Sequence, residues 1–139
     1  MTLFKNDPRA VCISGRHVHY DFGPIARGVV WSYWAFLALP SYWLAGYMAV
    51  GGNFTIKREA LEKIGGFDTN ITFYGEDTNV ARRLSEVGKV KFVLTHPIFT
   101  SARRMKEEGV LMTAYHYGIN FLSEVIIKKP ATLVHKDIR

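Results

Sequence analysis

Glu76 and Asp77 form an acidic pair at the start of a helical pattern, fed by Tyr74-Gly75. The helix N-terminus favours an ionised carboxylate in its first turn, where it can take a proton from a substrate hydroxyl. Glycine just before it lets the backbone come close to a substrate. Simple capping is the competing reading, because acidic side chains satisfy first-turn NH groups in any helix. Gly51-Gly52-Asn53 is a second candidate. A glycine pair brings backbone NH groups to a ligand and the Asn53 amide both donates and accepts, although a plain turn before a strand has the same composition. Arg103 and Arg104 follow Ser101-Ala102, and a guanidinium fork matches phosphate oxygens; a solvated basic turn is the alternative. His96, and the alternating His17 and His19, are of metal-ligand type, but neither a lone histidine nor His-X-His supplies a third ligand by spacing.

These residues must be held by local elements that the pattern predicts. Ala10 to Ser14, an apolar run between Pro8 and Gly15, reads as a short strand. Pro24 to Leu39 has helical spacing with a proline suited to its first turn, and Pro40 is expected to stop it. A strand at Phe54 to Ile56 leads to a short helix, Arg58 to Ile64, closed by Gly65-Gly66. Glu76 to Val87 reads as a helix with Val80, Leu84 and Val87 on the inner face and Arg82, Arg83 and Glu86 turned outward. Gly65 and Gly66 read as structural, and Asp68 as a cap or brace of the loop toward Glu76. Lys89 to Leu94 alternates as a strand. Glu107 to Lys128 carries Leu111, Ala114, Gly118, Phe121, Leu122 and Val125 at helical spacing and ends at Lys128-Lys129-Pro130, a basic end that suits the helix dipole or a membrane.

A chain of 139 residues fits one domain with a real core. Hydrophobic residues make up 48% and aromatics 14%, which excludes a disordered chain and calls for a packed core, a membrane-facing surface or an interface. The net charge of +6 suits anionic partners. Nucleic acid is not expected among them, because the arginines build no reader motif and no aromatic-basic interleaving marks a single-strand groove. From Gly28 to Ile56 no residue is charged. That length spans a bilayer, but Pro40, Ser41, Gly46 and Gly51-Gly52 interrupt it, leaving three readings: a spanning helix, an interfacial segment with aromatic anchors, or a helix and loop buried against another part of the protein. The lone Cys12, in an apolar run, reads as a buried inert thiol in a reducing, cytoplasmic setting. The start MTLFKNDPR has no apolar core, so no signal peptide is expected.

The segment GGNFTIKREALEKIGGFD, from Gly51 to Asp68, is followed by YGEDTNVARRLSEVGKVKF and THPIFTSARRMKEEG. This series resembles the acceptor-side half of a family-two glycosyltransferase, and the resemblance covers about four-fifths of the chain. It implies an α/β fold: a partial GT-A fold, Rossmann-like and of the nucleotide-diphospho-sugar transferase type, consisting of the C-terminal half with a long C-terminal helix. The nucleotide-binding βαβ unit and Asp-X-Asp metal motif of such enzymes lie in the first half, and neither is found here. The chain then divides into a residual strand region (1–23), an apolar aromatic segment (24–50), an acceptor-side catalytic region (51–106), and a C-terminal helix and tail (107–139).

What the resemblance implies for chemistry is transfer of a sugar, with inversion, from a nucleotide-sugar donor to a hydroxyl acceptor on a glycan or lipid. Asp77 would be the base and Glu76 its acceptor-positioning neighbour. Gly51, Gly52 and Asn53 would lie beside the donor sugar and acceptor, Phe73 and Tyr74 would stack on an acceptor sugar, and Arg103 and Arg104 would clamp the leaving diphosphate. His96 matches only roughly a metal-ligating histidine. Magnesium or manganese is expected for the complete enzyme, with its principal ligands in the other half. The implied chain is a fragment inactive alone, at the cytoplasmic face of a membrane. The alternative from another class is a non-catalytic, membrane-associated binding or scaffold module.

Overall fold

The computed structural model describes residues 2–71 and 75–127. Helix α1 (Thr2–Lys5) precedes strand β1 (Ala10–His19); α2 (Pro24–Tyr33), a π-helical segment (Trp34–Ala38) and α3 (Leu39–Ala45) follow. Then come β2 (Phe54–Ile56), α4 (Arg58–Lys63), α5 (Glu76–Ser85), β3 (Lys89–Thr100), α6 (Arg103–Glu108) and α7 (Val110–Ile127). The fold class is α/β, with a three-stranded mixed sheet in the order β2-β1-β3.

β1 is central, antiparallel to β2 through Cys12↔Ile56 and parallel to β3 through Ser14↔Phe92. It runs further than its apolar stretch predicts, to His19, because β3 continues beside it to Thr100. The two strands fall out of step between Gly15 and His17, which face Val93 and Ile98. The four residues Leu94 to Pro97 are therefore spent opposite Arg16 alone, and this bulge turns the His96 carbonyl over Gly15. A Cβ at Gly15 would lie 1.8 Å from that oxygen, so only glycine fits.

The core forms two clusters. Cys12, Tyr47, Ala49, Ala60, Val80, Ala81, Leu84 and Val90 pack under α5, while Trp34, Ala38, Met48 and Phe92 pack under the π segment, with Phe121 of α7 against them. Val80 and Leu84 are buried as their spacing predicts, but Val87 is exposed, because α5 ends at Ser85. Arg83 does not point away; it reaches back to the Gly65-Gly66 turn, as described below. Cys12 is fully buried and burial pushes its thiol up to about 12, so it is inert at neutral pH.

Pro40 does not stop the helix. The Leu39 NH donates to the Trp34 carbonyl, an i to i−5 bond, and this wider turn absorbs the ring and the missing NH of Pro40, so that helical backbone continues to Gly46 at φ 79°. No described helix is long and apolar enough to cross a membrane. The apolar segment is divided among the described residues: Tyr47, Met48 and Ala49 of its loop are buried, while much of its helical stretch is exposed. Ile25, Val29, Trp31, Phe36, Leu37, Trp43 and Leu44 are exposed, and only Trp34 and Ala38 of the helical stretch enter the core. The predicted C-terminal helix is two helices, α6 and α7, separated by Gly109. Lys128, Lys129 and Pro130 lie outside the described residues.

Candidate functional site

The loop from Tyr47 to Asn53 is threaded between β1 and α5 by buried polar contacts. The Ser14 hydroxyl donates to the Asn53 carbonyl at 2.7 Å and accepts the Val50 NH at 2.9 Å. The Asn53 side-chain amide donates to the Arg16 carbonyl at 3.0 Å and to the His96 carbonyl at 3.1 Å. Both amide hydrogens of Asn53 thus join β1 to the bulge of β3, and only its side-chain oxygen remains for a substrate. His96 takes part through its backbone; its side chain is exposed.

With the loop so held, Gly51 faces the first turn of α5. Its NH donates to Oδ2 of Asp77 at 2.8 Å, while Oδ1 accepts the Thr78 NH at 2.8 Å. Asp77 therefore caps its own helix with one oxygen and ties the glycine loop with the other. It is half-buried, and desolvation raises its carboxyl above the ordinary range, assisted by the neighbouring charge of Glu76; the NH groups of Gly51 and Thr78 oppose that rise without cancelling it. A carboxylate made more basic in this way is a better proton acceptor at neutral pH. Gly75, at φ 92°, begins the helix in a conformation that suits glycine, and Gly52, at φ 78°, does the same for the loop. Glu76 is exposed beside Asp77. Gly51, Gly52, Asn53, Glu76 and Asp77 are therefore gathered in one place, whereas Phe73 and Tyr74 lie outside the described residues.

Asp68 forms a local turn with Asn70, accepting its backbone NH at 3.0 Å and its amide at 2.9 Å. Arg83 fixes the adjoining glycine turn, donating to the carbonyls of Gly66 and Ile64. Arg103 is exposed at the start of α6, and its NH donates to the Ser101 hydroxyl at 3.2 Å. The described hydrogen bond of Arg103 stays within its own turn and does not reach the Gly51 loop or Asp77. The position of this turn is set by Asp21, which the sequence reading passed over. Its carboxylate accepts the Ser101 hydroxyl at 2.9 Å, the Ala102 NH at 2.7 Å and the Lys106 ammonium at 3.0 Å. Those donors hold the Asp21 carboxyl far below its ordinary value.

His17, of metal-ligand type in the sequence, lies close to the Gly51 backbone and packs edge-on against His19 at 6.3 Å. Its alternation with His19 was the available signal; the approach of Gly51, more than thirty residues away, left none. Among the described residues, no three histidine, cysteine, aspartate or glutamate side chains converge to hold a metal ion. These residues therefore do not by themselves fit a magnesium or manganese site.

No curated protein and no solved structure matches the chain at a significant level. A family model does. Residues 34–108, more than half of the chain, match the family described as the N-terminal domain of galactosyltransferase, and the matched stretch contains the Gly51 loop, the Asp77 helix and the Ser101-Arg104 turn. On that match, the chain belongs to this glycosyltransferase-related family.

Proposed function

We propose that the chain forms the acceptor side of an inverting glycosyltransferase of the family-two, GT-A kind, with Asp77 as the base. The observation that carries this reading is the pairing of a desolvated, basic carboxylate with a glycine loop at one helix N-terminus. The family match supports sugar transfer between a donor and an acceptor in general. In this reading the acceptor hydroxyl approaches Asp77 and gives its proton to the carboxylate. Its oxygen then bonds to the anomeric carbon from the face opposite the leaving group, and the bond from that carbon to the nucleoside diphosphate breaks. Glu76 orients the acceptor, and the open glycine backbone at Gly51 and Gly52 leaves room for the sugars. Arg103 and Arg104 receive the leaving diphosphate. The principal ligands of the divalent ion, magnesium or manganese, belong in this reading to the nucleotide-binding half of such an enzyme. The exposed apolar face of α2, the π segment and α3 supports work at a membrane surface, on its cytoplasmic side.

The test is transfer of labelled sugar from nucleotide-activated galactose, glucose and N-acetylglucosamine to membrane and glycan acceptors. It uses the protein in the polypeptide or complex in which the cell makes it. Asp77→Asn should lower turnover by about a hundredfold to ten-thousandfold, the usual contribution of a general base. Turnover unchanged in that variant would remove Asp77 from the base role. Sugar or nucleotide binding without turnover in either form would favour the non-catalytic module.

A further inference from the structure

Beside the Gly51 loop, the end of β1 and the start of α2 enclose a cavity of about 300 Å³, at the small end of the range for ligand sites. Arg16, His17, His19 and Arg27 line it together with Phe22 and Trp31. Of its nine lining residues two are arginines and two are histidines whose burial keeps them largely neutral, the rest are apolar or glycine, and no carboxylate lines the cavity. We propose that this cavity is a binding site for a phosphate or diphosphate group.

Its basic groups keep unused donors. Arg16 donates through Nε to the Leu94 carbonyl at 2.9 Å, and Arg27 donates through one terminal nitrogen to the Tyr20 carbonyl at 2.7 Å. Each bond fixes a guanidinium and leaves its other nitrogens without a partner among the described residues. His19 is only 5% exposed, and its Nδ1 has no hydrogen-bond partner. An imidazole buried without a partner is costly unless something else completes it. Burial pushes the His19 ring below its ordinary value against the opposing pull of the Asp21 charge, and the Asp21 oxygens are already occupied by Ser101, Ala102 and Lys106. Two anchored guanidinium groups with free nitrogens match the several acceptor oxygens of a phosphate better than the two of a carboxylate.

The phosphate can come from a soluble molecule or from a lipid headgroup. The second source is compatible with the exposed Trp31, which is four residues after Arg27 on the same face of α2 and also lines the cavity. The site stands on these residues alone and is independent of the role given to Asp77.

The experiment titrates the full chain with pyrophosphate by calorimetry. In parallel, it sediments the chain with phosphatidylcholine vesicles with and without phosphatidic acid. Saturable binding to pyrophosphate alone assigns the site to a soluble phosphate, and binding to phosphatidic acid vesicles alone assigns it to a lipid headgroup. Arg27→Gln should weaken the binding about tenfold, as expected for loss of a charge-assisted contact. Arg16→Gln should do the same where it folds; Arg27, being exposed, supplies the variant whose folding is not at issue. Arg58→Gln removes the same charge from an exposed helix outside the cavity and should change nothing. Failure to bind either probe would overturn the proposal, as would binding that Arg27→Gln and Arg58→Gln reduce equally.

Discussion

The NH of Gly51 donates to Oδ2 of Asp77 at 2.8 Å, closing a contact between a loop glycine and a helix carboxylate 26 positions apart. A Cβ on Gly51 would lie 3.5 Å from the same oxygen, an ordinary van der Waals contact, so it is the NH and not the lack of a side chain that makes the tie. The contact fixes the direction of Asp77 and partly offsets the rise that burial imposes on its carboxyl.

Because burial raises the carboxyl of Asp77, two pH effects of opposite sense follow. Transfer requires the ionised form, so activity should fall as pH drops through the raised value, at a higher pH than for an ordinary aspartate. The folded chain holds this proton more tightly than the unfolded one, so the contribution of Asp77 to stability declines as pH rises from the ordinary to the raised value. Asp77→Asn removes the desolvation cost but leaves one oxygen to serve two NH groups. Its melting temperature should lie within about 5 °C of the unaltered chain. Melting curves and pH–rate profiles of the two forms check both statements.

Gly15→Ala should destabilise the chain by about 3 kcal/mol, because the new methyl meets a backbone carbonyl that other bonds hold in place. The His96 oxygen would have to retreat, and with it the acceptor of the Asn53 amide. Urea unfolding measures the loss. A cost below about 0.5 kcal/mol would show that the β3 bulge yields freely.

Arg83→Lys should cost about 2 kcal/mol despite keeping the charge. One guanidinium spans the Ile64 and Gly66 carbonyls, and an ammonium cannot reproduce that fork. Unfolding by denaturant gives the magnitude. Hydrogen exchange at Gly65 to Asp68 should increase in the variant, and unchanged exchange would separate the arginine from the turn.

Asp21→Asn should lower the melting temperature at neutral pH and speed hydrogen exchange in α6, because the Ala102 NH, Ser101 hydroxyl and Lys106 ammonium lose their shared acceptor. The Asp21 carboxyl is held below its unfolded value, so its stabilisation is present above that value and is lost as pH falls through the folded one. The difference between the variant and the unaltered chain should therefore shrink in acid. A gap that persists unchanged to low pH would contradict the assignment.

The sequence by itself determined the elements whose signals are local. The β-branched and small residues of Ala10 to Ser14, the glycine-closed helix after Arg58, the spacing of Val80 and Leu84, and the placement of Glu76-Asp77 in a first turn all depend on neighbours within a few residues. The glycosyltransferase relation was legible for the same reason, since its motifs are contiguous, and the family match bears it out at that general level. Tertiary structure decided the rest. Pro40 sits inside continuing helical backbone because a π turn opens before it, and that stretch packs one side, with Trp34 and Ala38 buried, against Phe92 while its other apolar side stays exposed. His17 reaches Gly51, Asn53 braces the β3 bulge and Asp21 holds α6, each through a partner that the chain brings back from far along its length. A periodic pattern identifies the face an element buries, but the partner that face meets depends on strand register and loop closure, which the fold alone supplies.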